Sequence, residues 1–243
     1  MSKLRNLKIK IFADGADVKQ ILELDKKEYI KGFTTNPTLM RKAGIKDYKK
    51  FAKELLSHIK QKPISFEVFS DDIKIMEEQA MEIFSWGENV NVKIPITNTK
   101  GKSTVELIGR LSEKGVICNV TAIFTMEQIK NVVSNLNIST PIIFSVFAGR
   151  IADSGVDPIE IMKQSVSISK SKPKSEILWA STREIINIFQ AEDAGCQIIT
   201  VPHELLNKFS TIGKSLENYS LETVLTFHED AKTAGYSINK STK

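Results

Sequence analysis

Short runs of β-branched and aromatic residues, each bounded by turn signals, alternate with longer stretches whose apolar residues recur at helical spacing. Eight such runs lie at 7–13, 30–34, 64–68, 90–94, 116–121, 141–146, 176–180 and 197–201, and each is predicted to be a strand. Between them, Ile73, Met76, Ala80, Ile83 and Phe84, and again Val105, Ile108 and Leu111, place one apolar face on an otherwise polar helix. Asp71 and Asp72 are candidate N-caps for the first of these helices and Gly87 a candidate terminator. Largely apolar strands separated by amphipathic helices imply a parallel sheet covered on its outer face. Eight such units imply closure into a (β/α)8 barrel, the α/β class. An open doubly wound sheet is the alternative, but no Gly-x-Gly-x-x-Gly follows the first strand. No shift in composition marks a boundary, so residues 1–243 read as one barrel domain. The polar stretch 210–220 reads as a loop before a last helix over 221–234, whose Leu221, Val224, Leu225 and Phe227 would cover the barrel floor or pack on another subunit.

Composition narrows the function classes. A hydrophobic content of 41% with 26% charged residues is that of a soluble globular protein, and no apolar run reaches the roughly 18 residues of a membrane span. The first residues lead into a strand without a signal-peptide core, so a cytoplasmic enzyme is expected. The net charge of +5 is spread over helices that also carry Asp and Glu, and nucleic-acid motifs are absent, which argues against a nucleic-acid partner. His58, His203 and His228 lack ligand spacing, and Cys118 and Cys196 are far apart in apolar contexts, so neither a metal site nor a disulfide is expected.

One residue violates the apolar pattern sharply. Lys93 interrupts Val90-Asn91-Val92-Lys93-Ile94-Pro95, a segment otherwise suited to a buried strand. Desolvation of an ammonium favours the neutral, nucleophilic amine. From an ordinary pKa near 10.4, about 0.1% of a lysine is neutral near pH 7.4, so a depression of about 2–3 units, equivalent to roughly 3–4 kcal/mol, is what covalent catalysis would require. The competing reading is a strand-end lysine whose head reaches solvent.

In a (β/α)8 barrel the chemistry lies at the C-terminal ends of the strands, and seven of the eight predicted strands end in polar residues. These are Asp14, Thr35-Asn36, Glu67, Lys93, Asn119 with Thr121, Ser145 followed by Arg150, and Ser181 with Arg183. Singly, Asp14 or Asn36 could be a turn or cap residue, and either arginine could pair with a helix carboxylate. Together they suit one chemistry. A neutral lysine adds to a ketone, and the resulting iminium draws electrons so that the neighbouring C–C bond breaks. Asp14 and Glu67, with water held by Thr121, would move protons; Asn36 and Asn119 would bind hydroxyls; Arg150, Ser181 and Arg183 would hold a phosphate.

Thr34-Thr35-Asn36-Pro37, Lys93-Ile94-Pro95 with Thr97 and Gly101, Asn119-Val120-Thr121, Gly149-Arg150-Ile151 and Ala180-Ser181-Thr182-Arg183 occur in an order that resembles the transaldolase family, across Phe12 to about Pro202. The resemblance implies a metal- and cofactor-independent transferase of the pentose phosphate pathway acting on sugar phosphates. It implies Lys93 as the Schiff-base residue, Asp14 as the acid/base of C–C cleavage, and Glu67 with Thr121 as holders of the catalytic water. It also implies Asn36, Asn119 and Ser145 as contacts to the dihydroxyacetone unit, with Arg150, Ser181 and Arg183 on the phosphate. Similar fructose-6-phosphate aldolases carry glutamine at the position of Glu67 and tyrosine at that of Phe147, so these two residues favour the transaldolase branch over release of free dihydroxyacetone. The family's usual Ser-Pro-Phe-Val-Gly-Arg reads Ser145-Val146-Phe147-Ala148-Gly149-Arg150, Ala-Ser-Phe-Arg reads Ala180-Ser181-Thr182-Arg183, and Gly15 stands where threonine is common. These departures are expected beside the pocket and would bear on acceptor choice, including a specialised sugar phosphate. Short members resemble ring-forming homo-oligomers with the C-terminal helix against a neighbour. A sugar-phosphate-binding barrel without turnover is the reading from a different class.

Overall fold

A computed structural model describes residues 7–136 and 139–238. Eight parallel strands, β1 (Lys10–Asp14), β2 (Ile30–Thr34), β3 (Ile64–Glu67), β4 (Val90–Pro95), β5 (Cys118–Ile123), β6 (Ile142–Val146), β7 (Ser175–Trp179) and β8 (Ile198–Pro202), hydrogen-bond in chain order and close, β8 returning to β1. Helices follow every strand: α1 (Val18–Asp25), α2 (Pro37–Lys42), α3 (Tyr48–His58), α4 (Ile73–Phe84), α5 (Val105–Glu113), α6 (Met126–Ser134), α7 (Ala148–Asp153), α8 (Pro158–Ser169), α9 (Ile186–Asp193) and α10 (His203–Leu206). A 3-10 turn (Asn207–Thr211) then leads to α11 (Leu216–Thr233). The (β/α)8 barrel predicted from the alternating pattern is the observed fold.

Strand parity divides the side chains into two layers. Ile11, Phe33, Phe66, Val92, Val120, Phe144, Trp179 and Ile199 belong to the large core between sheet and helices. The opposite parity points inside the barrel. There Phe12, Ile143, Leu178, Ala180 and Ile198 form a separate apolar plug, while Thr34, Ser65, Asn91, Lys93, Asn119, Thr121, Ser145 and Thr200 are buried polar residues. Gly32 marks how tightly the plug fits: a Cβ there would lie 2.6 Å from the Phe12 ring. The polar interior explains why Lys93 interrupts an apolar strand. Val92 and Ile94 face the helices and Lys93 faces the barrel axis.

Several boundaries differ from the pattern-based expectation. The first strand starts at Lys10 rather than residue 7, because the amides of Lys8 and Ile9 donate to the Glu192 carboxylate of α9 at 3.0 and 2.7 Å instead of joining the ladder. Asp72 caps α4, accepting from the amides of Lys74 and Ile75. Asp71 instead accepts from the amide and hydroxyl of Thr99. That helix stops at Phe84 with a right-handed cap at Ser85, so Gly87 is not its terminator. The last helix begins five residues before the expected 221, where the Ser215 side chain accepts from the Asn218 amide. No residue of α11 is buried, and Leu221, Val224, Leu225 and Phe227 are 57–68% exposed, so they do not close the barrel floor.

Candidate active site

Register brings the predicted residues together. Glu67 on β3 pairs with Lys93 on β4, and Lys93 with Asn119 on β5, so three inward side chains stand side by side at the C-terminal end of the barrel. Lys93 is 6% exposed; its Nζ lies 3.1 Å from Glu67 Oε2 and donates to the Thr35 carbonyl at 2.9 Å. The snorkelling alternative is thereby corrected: the side chain faces the barrel axis and its head is held inside by Glu67 and the Thr35 carbonyl instead of extending into bulk water. Asn119 Nδ2 donates to Ser65 Oγ at 3.1 Å, while its Oδ1 accepts from Ser145 Oγ at 2.6 Å, which joins β3, β5 and β6 through one polar chain. The Thr121 hydroxyl is buried without a hydrogen-bond partner among the described residues, an arrangement that is costly unless another polar group meets it.

Asp14, on β1, accepts from Thr34 Oγ1 at 2.7 Å. Burial pushes its carboxyl above the ordinary 3.8. Lys93 and the Thr34 hydroxyl oppose that shift, and the Glu67 charge adds to it. Asp14 thus holds its proton more tightly than an ordinary carboxyl does, beside the ion pair of Lys93 and Glu67.

Asn36 is a helix cap, as its sequence context allowed. Its Oδ1 accepts from the Leu39 amide at 3.0 Å and Pro37 starts α2. The amide nitrogen of the same side chain has no hydrogen-bond partner among the described residues, so capping and binding a hydroxyl are compatible. Glu67 owes its placement to a residue the sequence analysis missed. β2 ends at Thr34 and turns into α2, which leaves the β3 edge short of a strand partner. Tyr48 fills the gap, its hydroxyl accepting from the Glu67 amide at 2.7 Å and donating to the Glu67 carbonyl at 2.9 Å. Burial drives the Tyr48 phenol well above its usual range, so it remains a neutral bridge.

The phosphate candidates gather on the β6 and β7 side. Phe147 leads into α7, packs its ring 5.8 Å from that of Phe124, and carries the Arg150 guanidinium 5.4 Å above its centroid. Arg150 is exposed and pairs with no carboxylate among the described residues. Arg183 does pair with one: its Nε and a terminal nitrogen reach the Asp153 carboxylate of α7 at 3.2 and 2.5 Å. Ser181 adopts a left-handed conformation, φ 63°, against Gly149, where a Cβ would lie 1.6 Å from the Ser181 carbonyl oxygen. Of the departures noted in sequence, two turn away from the barrel interior. Val146 and Ala148 are fully buried in the helix-facing core, and Thr182 is buried with its hydroxyl donating to the Thr200 carbonyl at 2.7 Å. Gly15 alone sits in open space, with nothing within 4 Å of a Cβ built there.

Besides Tyr48, Ser65 and Thr200 are not singled out among the candidates read from the sequence, and Thr34 has a place in a motif there but no role. Ser65 and Thr200 each stand at the inward parity of an apolar strand, the same signal that singled out Lys93. Among the described residues no group of His, Cys, Asp and Glu is arranged to hold a metal ion, and no helix is long and apolar enough to cross a membrane.

Known proteins resemble this chain over most of its length. The profile of the Transaldolase/Fructose-6-phosphate aldolase family matches residues 11–243. A probable transaldolase of Dehalococcoides mccartyi is 34% identical over 200 residues, covering 82% of this chain and 88% of its own. Another from Caldicellulosiruptor saccharolyticus is 36% identical over 204 residues, with 83% and 89% covered. A third, from a Thermoanaerobacter species, is 35% identical over 231 residues, with 95% of this chain and 100% of its own covered. Fold, clustered polar barrel interior and sequence likeness over nearly the whole chain agree, and the protein belongs to the transaldolase/fructose-6-phosphate aldolase family.

Proposed function

We propose that the chain is a metal-independent transaldolase that carries a dihydroxyacetone unit from a ketose phosphate to an aldose acceptor on Lys93. The observation that carries this reading is the buried Lys93 amine, paired with Glu67 and flanked in register by Asn119, with Asp14, Thr121 and Ser145 at neighbouring inward positions of the strands. Once Nζ gives up a proton and its contact with Glu67, its lone pair adds to the C2 ketone and forms a carbinolamine. Loss of water from that adduct needs a proton donor. Glu67, working through a water that also satisfies the Thr121 hydroxyl, is suited to supply it. As the C3–C4 bond breaks, its electrons move into the iminium and the C4 hydroxyl proton passes to Asp14; an aldehyde phosphate leaves and an enamine remains on Lys93. The acceptor aldehyde then adds to the enamine, Asp14 returns the proton to the new alkoxide, and hydrolysis frees Lys93. Asn36, Asn119 and Ser145 hold the hydroxyls of the three-carbon unit, while Arg150, Ser181 and Arg183 receive the phosphate.

Borohydride reduction in the presence of fructose 6-phosphate, followed by intact mass and peptide mapping, tests the covalent step. A three-carbon adduct on Lys93, lost in Lys93→Met, is expected; substrate binding without any adduct would leave only a sugar-phosphate-binding barrel. Glu67 and Phe147 favour transfer over simple aldol cleavage, because no phenol at 147 is present to protonate the enamine. Steady multiple-turnover release of dihydroxyacetone without an acceptor would overturn that preference. The activity belongs to cytoplasmic pentose phosphate metabolism. The exposed apolar side of α11 supports assembly into a homo-oligomer, in which Leu225→Glu with Phe227→Glu should lower the mass measured by sedimentation.

A further inference from the structure

Two hydroxyl groups, on β8 and β2, line up behind the Asp14 carboxyl of β1, and the proposed chemistry uses neither hydroxyl. Thr200 Oγ1 lies 2.5 Å from Thr34 Oγ1, and Thr34 Oγ1 donates to Asp14 Oδ1 at 2.7 Å. Both threonines are buried, so water does not compete for these bonds. The proton inventory sets their direction. Thr34 has one hydroxyl proton and spends it on Asp14, so the Thr200 hydroxyl donates to Thr34. The line ends there: Thr200 Oγ1 has no further partner among the described residues, and the neighbouring Thr182 hydroxyl reaches the Thr200 carbonyl instead. Such a line cannot conduct a proton to solvent, but it can hold a carboxyl still.

We infer that Thr34 and Thr200 are positioning residues that clamp Asp14 through Oδ1 and leave Oδ2 as the one oxygen that exchanges a proton with the sugar. Two consequences follow from the donor direction. A proton on Oδ1 would meet the Thr34 hydroxyl proton head on unless both threonines turned around, so protonated Asp14 carries its hydrogen on Oδ2. The Thr34 hydroxyl also opposes the rise that burial imposes on Asp14, which keeps the carboxylate accessible as a base for cleavage while retaining it as an acid for resynthesis. Backbone geometry fixes the clamp. Asp14 is the register partner of both Thr34 and Pro202, the Gly15 amide donates to the Thr34 carbonyl at 3.1 Å, and Thr200 pairs with Phe12 in the apolar plug below. Lys93 and Glu67 are the charged groups facing Asp14. On the β8 side the nearest titratable residue in sequence is His203, at the start of α10.

The inference rests on the proposed role of Asp14, and its test separates the two. Carboxyl carbon-13 NMR titration of selectively labelled, substrate-free protein reads Asp14 directly, and the pH dependence of the cleavage half-reaction reads its role. Thr34→Val should move the Asp14 titration upward by about one to two pH units, since one hydrogen bond to the charged form is lost. The acid limb of the cleavage rate should move with it, while borohydride trapping on Lys93 at high pH persists. Thr34→Ser should restore both. Thr200→Val should give a smaller shift in the same direction and none when added to Thr34→Val, because it acts only through Thr34. An unmoved titration in folded Thr34→Val, or full additivity of Thr200→Val, overturns the clamp. A titration that moves while the rate limb stays put supports the clamp and removes Asp14 from the cleavage step.

Discussion

Gly149→Ala is the substitution whose consequence the structure determines most directly. A Cβ at position 149 would stand 1.6 Å from the Ser181 carbonyl oxygen and 2.7 Å from its carbon. An ordinary contact begins above 3 Å, so the two backbones must part by well over 1 Å. The obstacle is main chain, which cannot rotate away as a side chain would. Ser181 is already in the left-handed region, where a non-glycine residue has little freedom to absorb the move. Overpacking typically costs about 1–3 kcal/mol, and a backbone clash belongs at the upper end. For a chain of this size about 3 kcal/mol lowers the melting temperature by roughly 6–12 °C. The displaced segment carries Ser181 and Arg183, while Lys93 lies across the barrel on β4. KM for phosphorylated donors should therefore rise by one to two orders of magnitude, the scale expected of a misplacement of about 1 Å. Trapping of unphosphorylated dihydroxyacetone on Lys93 should survive. Calorimetry, steady-state kinetics with fructose 6-phosphate and borohydride mass shifts measure the three effects. An unchanged melting temperature together with an unchanged KM would refute the reasoning, because it would mean that the α7–β7 approach is not what places the phosphate residues.

Burial raises Asp14, so the folded chain binds this proton more tightly than the unfolded chain does, and the group costs stability increasingly as pH rises from the unfolded value of 3.8 through the folded one. Asp14→Asn should consequently raise the urea midpoint at pH 7, with the gain vanishing below pH 3.8, while abolishing C–C cleavage. Tyr48→Phe removes the hydroxyl that serves both backbone groups of Glu67 and should destabilise the fold by about 1–3 kcal/mol while lowering kcat more than it raises KM, measured by urea unfolding and steady-state kinetics. Asp153 is held below the ordinary carboxylate range by hydrogen bonds from Arg183. Asp153→Asn should release that guanidinium and lower KM for phosphorylated substrates severalfold with little change in the melting temperature, as befits an exposed pair. Burial pushes the Cys118 and Cys196 thiols up to about 12, so a thiol reagent at pH 8 should label neither until the protein is unfolded, when both react.

How much was legible in the sequence depended on whether a residue reports its own environment. Lys93, Glu67, Asn119 and Ser145 are polar interruptions in apolar runs, and in a barrel such residues have one place to face. Arg183 was ambiguous for a physical reason: an exposed guanidinium meets whichever carboxylate the neighbouring helix presents, and that carboxylate, Asp153, is 30 positions away in sequence. Tyr48 was silent because an aromatic residue at the start of a helix ordinarily reads as packing; its role appears only because β2 stops short and leaves the Glu67 amide unpaired. Val146 and Ala148 were expected at the pocket because their neighbours line it, yet strand and helix geometry turn them to the opposite side.

By itself the sequence determined the period of the elements, hence eight strand–helix units and a closed barrel, and it determined the kinds of group at the strand ends. Those properties are local, set by side-chain alternation and backbone preference over a few residues. Tertiary structure decided which groups share a hydrogen. It set Lys93 against Glu67 and Thr35, lined up Thr200, Thr34 and Asp14 from three strands, and tied Arg183 to Asp153 while leaving Arg150 without a carboxylate among the described residues. Those outcomes depend on register and barrel closure, which join β8 to β1 across 188 residues of chain between Lys10 and Ile198. Hydrogen bonds are decided at tenths of an ångström, a scale that alternation along the chain does not encode.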